Sequence, residues 1–225
     1  MQTTPEYIFK RSAAAPMAPA PGASFLPQYR EQFEPVLAHR AGGMAVVLEL
    51  LEARCRTLGR PALIVEAGSA TRIGDWPGIG QSTLLWRAFS AFHPCQVHSV
   101  DADPAVAGVI RAACGDTVQA HSAEPAAWLE QLANAEHPPQ IDLLYLDSLE
   151  FDPANPFPAA RRHARELISA QDCLRQGSIV AINDHFLETE AGAKRPVGRG
   201  HLALQWFHAL KVPCVYPGQQ LVWQF

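Results

Sequence analysis

Apolar positions along this chain follow two rhythms. The runs ALIVEAG (62–68), CQVHSVDAD (95–103), DTVQAHSAE (116–124), IDLLYLDS (141–148) and SIVAINDH (178–185) are short, apolar and closed by polar residues, which predicts buried strands. Between them the apolar residues recur three and four apart. That spacing predicts helices over 82–92 (Leu85, Phe89, Phe92), 104–113 (Val106, Val109, Ile110), 125–133 and 159–174. Strands alternating with helices imply βαβ units, a mostly parallel sheet and right-handed crossovers. The rhythm breaks after a helix around 202–210. VPCVY and QLVWQF are separated only by a Pro-Gly turn, too short for a crossover, so this last pair is read as an antiparallel hairpin. The predicted class is α/β: a doubly wound sheet, mostly parallel, with helices on both faces.

Upstream, MAVVLELLEARCRTLG (44–59) places Met44, Val47, Leu48, Leu51, Cys55 and Leu58 on one helical face with Gly59 as a stop, the pattern of a cover helix. The organisation read from these patterns is an Ala/Pro-rich arm over 1–26, cover helices over 27–60 and the α/β domain over 61–225. Proline stiffens the arm and leaves it little to bury.

Composition narrows the classes. At 225 residues, 48% hydrophobic and 18% charged, the chain supports one sizeable core. A net charge of -4 provides no broad basic field, so nucleic acid is not an expected partner. No apolar run approaches the ~20 residues that cross a bilayer, so a membrane is not expected either. Five dispersed cysteines without CxxC pairs argue against a disulfide framework and a thiolate zinc site. FKRSAAAPMAPAPGASF (9–25) faintly imitates an export signal, but prolines interrupt its apolar part; the expected location is cytoplasmic.

In an open doubly wound sheet, ligands bind outside the carboxyl ends of the strands. The residues ending the runs are therefore the candidates for chemistry: Glu66, Asp101, Ser122, Glu124, Asp147, Asn183, Asp184 and His185. Glu66 stands two residues before Gly68, where a nucleotide's charged part would meet the backbone. A phosphate 4 Å from that carboxylate is opposed by about 4 kcal/mol at an effective dielectric of 20, whereas an ammonium or sulfonium is attracted by a term of the same order. Helix N–H groups near Gln81 to Thr83 are placed to receive a carboxylate. S-adenosylmethionine (SAM) presents that combination of charges. Asp101 suits the two hydroxyls of a ribose, which serves SAM and NAD equally; the bland alternative is a cap or turn before Pro104.

Taken in order, LIVEAGS with GIGQST, VHSVDADP, DLLYLDS and GSIVAINDH resemble the class I SAM-dependent methyltransferases, and within them the small-molecule O-methyltransferase branch related to macrocin and catechol O-methyltransferases. The resemblance covers roughly residues 61–225. It implies a Rossmann-like fold, SAM as cofactor, Glu66 and Gly68 at its methionine end, Asp101 at the ribose and Ser122, Ala123 and Glu124 at the adenine edge. Ser69, Gly80, Ser82 and Thr83 complete the expected cofactor-binding set. The sequence departs from the family between Gly68 and Gly80, where TRIGDWP (71–77) lengthens the loop. Either it bulges outward, or Trp76 lies over the site as a lid; the lid is the favoured expectation.

Asp147 ends the fourth strand, and Asn183 and Asp184 end the fifth. If those strands are neighbours, their oxygens converge as a hard cation requires. The resemblance likewise implies a divalent metal, Mg2+, held by Asp147, Asn183 and Asp184. The alternative, weighed equally, is that these residues cap loops in a metal-free relative. The family's place for a base falls on Glu150, with His185 as competitor, so the expected catalytic set is Asp147, Glu150 and His185. His163 and Glu166, in HARE, are read as packed or capping rather than as ligands, and Trp86, Phe89, Trp206 and Phe207 as core.

The expected function is SAM-dependent methylation of a hydroxylated small-molecule acceptor bound by loops, by the N-terminal segment and by residues 194–200. A homo-oligomer is left open. The rivals are a nicotinamide oxidoreductase, for which GIGQST lacks a third glycine and sits too far from the first strand, and a non-catalytic metabolite-binding module of the same fold.

Overall fold

Three strands form the centre because their residues are apolar on both faces. β1 (Ala62–Ala67), β4 (Leu143–Leu146) and β5 (Ile179–Ile182) are buried throughout, the pattern of parallel strands covered on each side. The computed structural model describes residues 22–77, 81–150, 152, 154–185, 187–188, 194–195 and 198–225. In it β2 (Cys95–Asp101) and β3 (Gln119–Ser122) extend the sheet on one side. On the other side, after a short β6–β7 hairpin (Leu187–Glu188, Lys194–Arg195), β8 (Cys214–Pro217) and β9 (Leu221–Gln224) complete it.

The seven-stranded order is β3-β2-β1-β4-β5-β9-β8, with β6 and β7 forming a separate pair. β1 pairs in parallel with β2 on one side and with β4 on the other, so the chain reverses its direction of travel between β1 and β4. That is the switch point at which doubly wound sheets open a crevice. β9 runs antiparallel to β5 and β8, as the closing Pro-Gly turn requires.

The longer helices are α1 (Ala41–Thr57), α2 (Ser82–Ser90), α3 (Pro104–Cys114), α4 (Pro125–Ala133), α5 (Phe157–Ser169) and α6 (His201–Ala209), and short helical turns over Leu26–Gln28 and Tyr29–Phe33 precede α1. Strand alternation divides the core between them. Ile64, Val97, Leu143, Tyr145 and Ile179 face one layer with Leu48, Leu85 and Ile110 of α1, α2 and α3. Leu63, Val65, Leu144, Val180 and Ile182 face the other with Leu129, Leu167 and Phe207 of α4, α5 and α6. α3 and α4 start alike: Asp103 and Glu124 cap them by accepting the N–H of Ala105 and Ala127, each 2.8 Å away, with proline at the first helical position.

Three boundaries differ from expectation. α1 starts at Ala41, before Met44, and closes its buried face with Glu52 rather than with Cys55 and Leu58, which are only half-buried. The helix expected over 159–174 starts two residues earlier, ends at Ser169 and hands over to a 3-10 turn, Gln171–Cys173. Residues 1–21 of the expected arm lie outside the described residues, while Phe25 at its end is fully buried, 5.7 Å from Phe89 between ring centres.

Candidate active site

The turn after β1 gathers the strand ends. Gly68 takes φ +89°, and any side chain there would overlap the backbone of Asp147 and Ser148, so β1 and β4 meet at contact distance. Its N–H bonds the carbonyl of Val100 at 2.9 Å. The next N–H, of Ser69, donates to Asp101 Oδ2 at 3.1 Å, and Asp101 Oδ1 accepts from Asp103 N at 2.9 Å. The cap before Pro104 is thus Asp103, which leaves Asp101 half-exposed at the end of β2. Ala123 N bonds the Asp101 carbonyl at 2.9 Å, setting exposed Ser122 and half-buried Ala123 and Glu124 beside it. Asp101, Ser69, Ser122 and Ala123 therefore share one edge of the sheet's carboxyl end, as a bound ribose and adenine require. The chemistry of this donor set fits SAM.

Glu66 behaves differently from the expectation built on it. It has no exposed surface. Its carboxylate accepts from Thr83 Oγ1 at 2.5 Å, Ser99 Oγ at 2.6 Å and Trp86 Nε1 at 3.1 Å. Burial pushes its pKa up, against the pull of these donors and of the Ser82 hydroxyl. Glu66 thus binds the start of α2 to β2 and offers a ligand no exposed surface. The physical reason is that the first turn of α2, with its polar hydroxyls, folds onto the strand end and takes the place assigned to the ligand. Ser82 and Thr83 are correspondingly turned inward. Gly80 lies outside the described residues, as does Gly78.

The insertion both bulges and anchors. Arg72 and Asp75 face solvent and pair at 3.4 Å. Gln81 ties the loop from beneath, its Nε2 donating to the Arg72 carbonyl at 2.7 Å and its Oε1 accepting from Gly74 N at 3.2 Å. Trp76, expected as a lid, is 1% exposed and packs on Phe33 with ring centres 5.4 Å apart. Its large apolar ring is worth more in the core than over a wet crevice.

The second constellation assembles at the ends of β4 and β5. Asn183 Nδ2 donates to Asp147 Oδ2 at 3.1 Å, so these two neighbours meet as expected. Their centre holds a guanidinium: Arg199 Nη1 contacts Asp147 Oδ1 directly and lies 3.3 Å from Asp184 Oδ2. Arg40 Nη2 stands 3.6 Å from the same Asp184 oxygen, and His39 Nε2 3.5 Å from Asp184 Oδ1. Burial alone would raise the Asp184 carboxyl, yet the His39 hydrogen bond and the Arg40 charge bring it below the usual carboxylate range. Burial lowers Arg199 to about 10, which leaves it charged at neutral pH. Two carboxylates thus face two guanidinium groups. Asp147, Asn183 and Asp184 are the right donors for a divalent cation, but in this arrangement they do not fit one, because Arg199 stands where the ion would. Among the described residues no group of three or more His, Cys, Asp or Glu is placed to hold a metal.

The two candidate bases separate. Glu150 is exposed beyond β4, and His185 is buried, with burial and nearby His201 lowering it to about 4. His163 is packed, as expected: its Nδ1 lies 2.7 Å from the Ala159 carbonyl and its Nε2 accepts from Ser148 N at 3.3 Å. Ser148 in turn bonds Glu166, and Arg162 reaches both Ser148 and Glu124. HARE therefore holds the loop after β4 in place. A cavity of about 400 Å3 lined by Cys55, Arg60, Phe92 and His93 lies at the opposite, amino end of β1 and β2, away from all these groups.

Sequence reasoning missed Arg199, Arg40 and His39. Glycines on both sides of Arg199 were the one available signal; nothing in the spacing of His39 and Arg40 points to a site 140 residues downstream.

No family model and no curated protein sequence matches the chain. Solved structures match by shape. MycE methyltransferase from the mycinamycin biosynthetic pathway, in complex with Mg and SAH, aligns with a TM-score of 0.58 at 12% identity over 92% of this chain, which spans only 55% of MycE. An O-methyltransferase from Bacillus cereus in complex with SAH gives 0.53 at 13% identity over 98% of this chain and 96% of that one. The calicheamicin methyltransferase CalS11 gives 0.53 at 13% identity, covering 98% and 91%. The order of strands, the turn after β1 and these likenesses agree: the chain has the Rossmann-like α/β fold of SAM-dependent O-methyltransferases.

Proposed function

We propose that this protein is a SAM-dependent methyltransferase acting on a hydroxyl of a small-molecule acceptor. One observation carries the reading. The turn after β1 draws the ends of β2 and β4 together: Gly68 packs on the backbone of Asp147, and the next N–H, of Ser69, holds the half-exposed Asp101 carboxylate beside it. A half-exposed carboxylate at that point opposes a phosphate and suits the hydroxyls of a ribose. The likeness to structures solved with SAH supports it.

SAM, when bound, supplies a methyl group made electrophilic by its sulfonium. The chain's part is positioning. Asp101 accepts the ribose hydroxyls, Ser69 and the Gly68 turn lie at the methionine end, and Ser122, Ala123 and Glu124 border the adenine. Glu66 acts indirectly, holding α2 against the sheet. Asp147, half-buried at the end of β4, is the group we assign to the acceptor hydroxyl, accepting its hydrogen bond and so orienting the oxygen. His185 is buried whereas Asp147 is half-buried, which favours Asp147 for this contact. The Gly198–Arg199 turn and the His39–Arg40 turn border the acceptor side.

Calorimetry with SAH on the purified protein tests the reading. SAH should bind, Asp101→Ala should weaken it by roughly tenfold or more, about 1.4 kcal/mol, and Asp147→Ala should leave the affinity unchanged while removing methyl transfer to hydroxylated acceptors. Binding of NADH in place of SAH would overturn it in favour of an oxidoreductase. SAH binding without turnover on any acceptor would favour a binding module.

A further inference from the structure

We propose that Arg199 is a built-in replacement for a divalent cation: its guanidinium occupies the point where the Asp147, Asn183 and Asp184 side chains converge, and the protein works without a metal there. The inference deepens the methyl-transfer reading and rests on it for its catalytic meaning; the statement about metal binding stands apart from it.

Three observations support it. The first is placement. Arg199 Nη1 touches Asp147 and lies 3.3 Å from Asp184, bridging the ends of two adjacent strands with a side chain 7% exposed. The second is that the backbone holds it there. Gly198 N donates to the His185 carbonyl at 2.7 Å and Arg199 N to the Asp184 carbonyl at 3.1 Å, so the Gly198–Arg199 turn is laced to the end of β5. A side chain at position 198 would overlap the backbone of Asp184 and His185, which is why glycine precedes the arginine. α6 then starts at His201, whose N–H bonds the Gly198 carbonyl at 3.1 Å. The arginine is thus delivered by a rigid turn between a strand and a helix.

The third observation is charge. Asp147 and Asp184 are balanced by Arg199 and Arg40. A divalent ion entering this neutral group would meet the guanidinium at close range and be repelled by it. Magnesium also needs near-octahedral oxygen ligands at about 2.0–2.1 Å, and the carboxylates are already engaged. The arginine performs part of what the ion would: it neutralises the paired carboxylates and fixes their orientation. Arg199 Nε and Asn183 Oδ1 are buried without a hydrogen-bond partner among the described residues.

Manganese titration followed by electron paramagnetic resonance tests the replacement directly. The wild-type protein should leave free Mn2+ unchanged up to about 1 mM, and its melting temperature should not respond to Mg2+ or to EDTA. Arg199→Ala should gain a Mn2+ site, binding at least roughly tenfold tighter than wild type, and Asp147→Asn in that background should remove it. Arg199→Lys keeps the positive charge and should stay blind to the ion. Should Arg199→Ala fail to fold by circular dichroism, Arg199→Gln carries the same comparison. Submillimolar Mn2+ binding to the wild type that Asp147→Asn abolishes would overturn the proposal, as would a folded Arg199→Ala that binds no better than wild type. SAH calorimetry on the same samples reports on the methyltransferase reading separately, because its outcome does not depend on the ion.

Discussion

A carboxylate flanks strand β4 at each end, Asp142 facing Arg54 and Arg60 and Asp147 facing Arg199, and the two are satisfied to different degrees. At the amino end Asp142 has no exposed surface and accepts four hydrogen bonds: Arg54 Nε at 3.0 Å, Arg60 Nη1 at 2.7 Å and Nη2 at 3.2 Å, and Leu63 N at 2.8 Å. Its oxygens are saturated, and it bolts α1 and the start of β1 to the sheet. At the carboxyl end Asp147 shares Arg199 with Asp184, while Asn183 Oδ1 and Arg199 Nε are left without partners among the described residues. A buried polar group left unpaired costs about 1–3 kcal/mol, so a fold keeps it only where something else is gained. The saturated end is a fastening. The unsaturated end is where a ligand has something to bind.

The sharpest way to break this contrast is to remove each carboxylate. Asp142→Ala removes a fully buried acceptor from half-buried Arg54, exposed Arg60 and the buried Leu63 N–H, and should cost about 1–3 kcal/mol in denaturant unfolding. Asp147→Ala leaves Arg199 with Asp184 and should cost less than Asp142→Ala, while abolishing the proposed methyl transfer. Equal losses at the two ends would show that the distinction between fastening and site is wrong.

Glu66 is an intermediate case, lying near the site yet satisfied like Asp142. Glu66→Gln turns an amide N–H2 toward hydroxyl and indole donors, and should destabilise the protein by about 1–3 kcal/mol while weakening SAH only through displacement of α2. A loss of SAH binding with unchanged stability would return Glu66 to direct contact with the ligand.

The smallest effect concerns pH. Burial lowers His185 at the carboxyl end to about 4, below its unfolded value near 6.5. The unfolded chain then binds the proton first, so stability is full above 6.5 and is lost as pH falls toward 4. His98, lowered to about 4 by burial and by His121, contributes in the same direction. Buried Glu66 and Glu166 are raised and oppose both, losing stability as they ionise. The measurement is therefore a difference: urea midpoints of His185→Asn should fall less steeply than wild type between pH 6.5 and 4. Parallel slopes would mean that His185 is not held neutral by the fold.

Much of this architecture is written in local patterns. The five strand runs, the helices between them and the final antiparallel pair follow from period and turn chemistry, because those depend on neighbours in sequence. Asp101, Asp147, Asn183 and Asp184 were recognisable for the same reason: a polar residue closing an apolar run must emerge at the strand's end. Trp76 and Glu66 were not, since alternation tells which face a side chain takes but not whether a helix start or the core then covers it.

By itself, then, the sequence determined the α/β alternation, the end of the sheet at which chemistry is to be sought and the acidic character of the strand ends. Only the tertiary structure decided what those acids face. The Gly198–Arg199 turn and the His39–Arg40 turn reach Asp184 from distant parts of the chain. Charge pairing is set by distance through space, and no spacing along the chain records which cation the fold brings within 4 Å of which carboxylate.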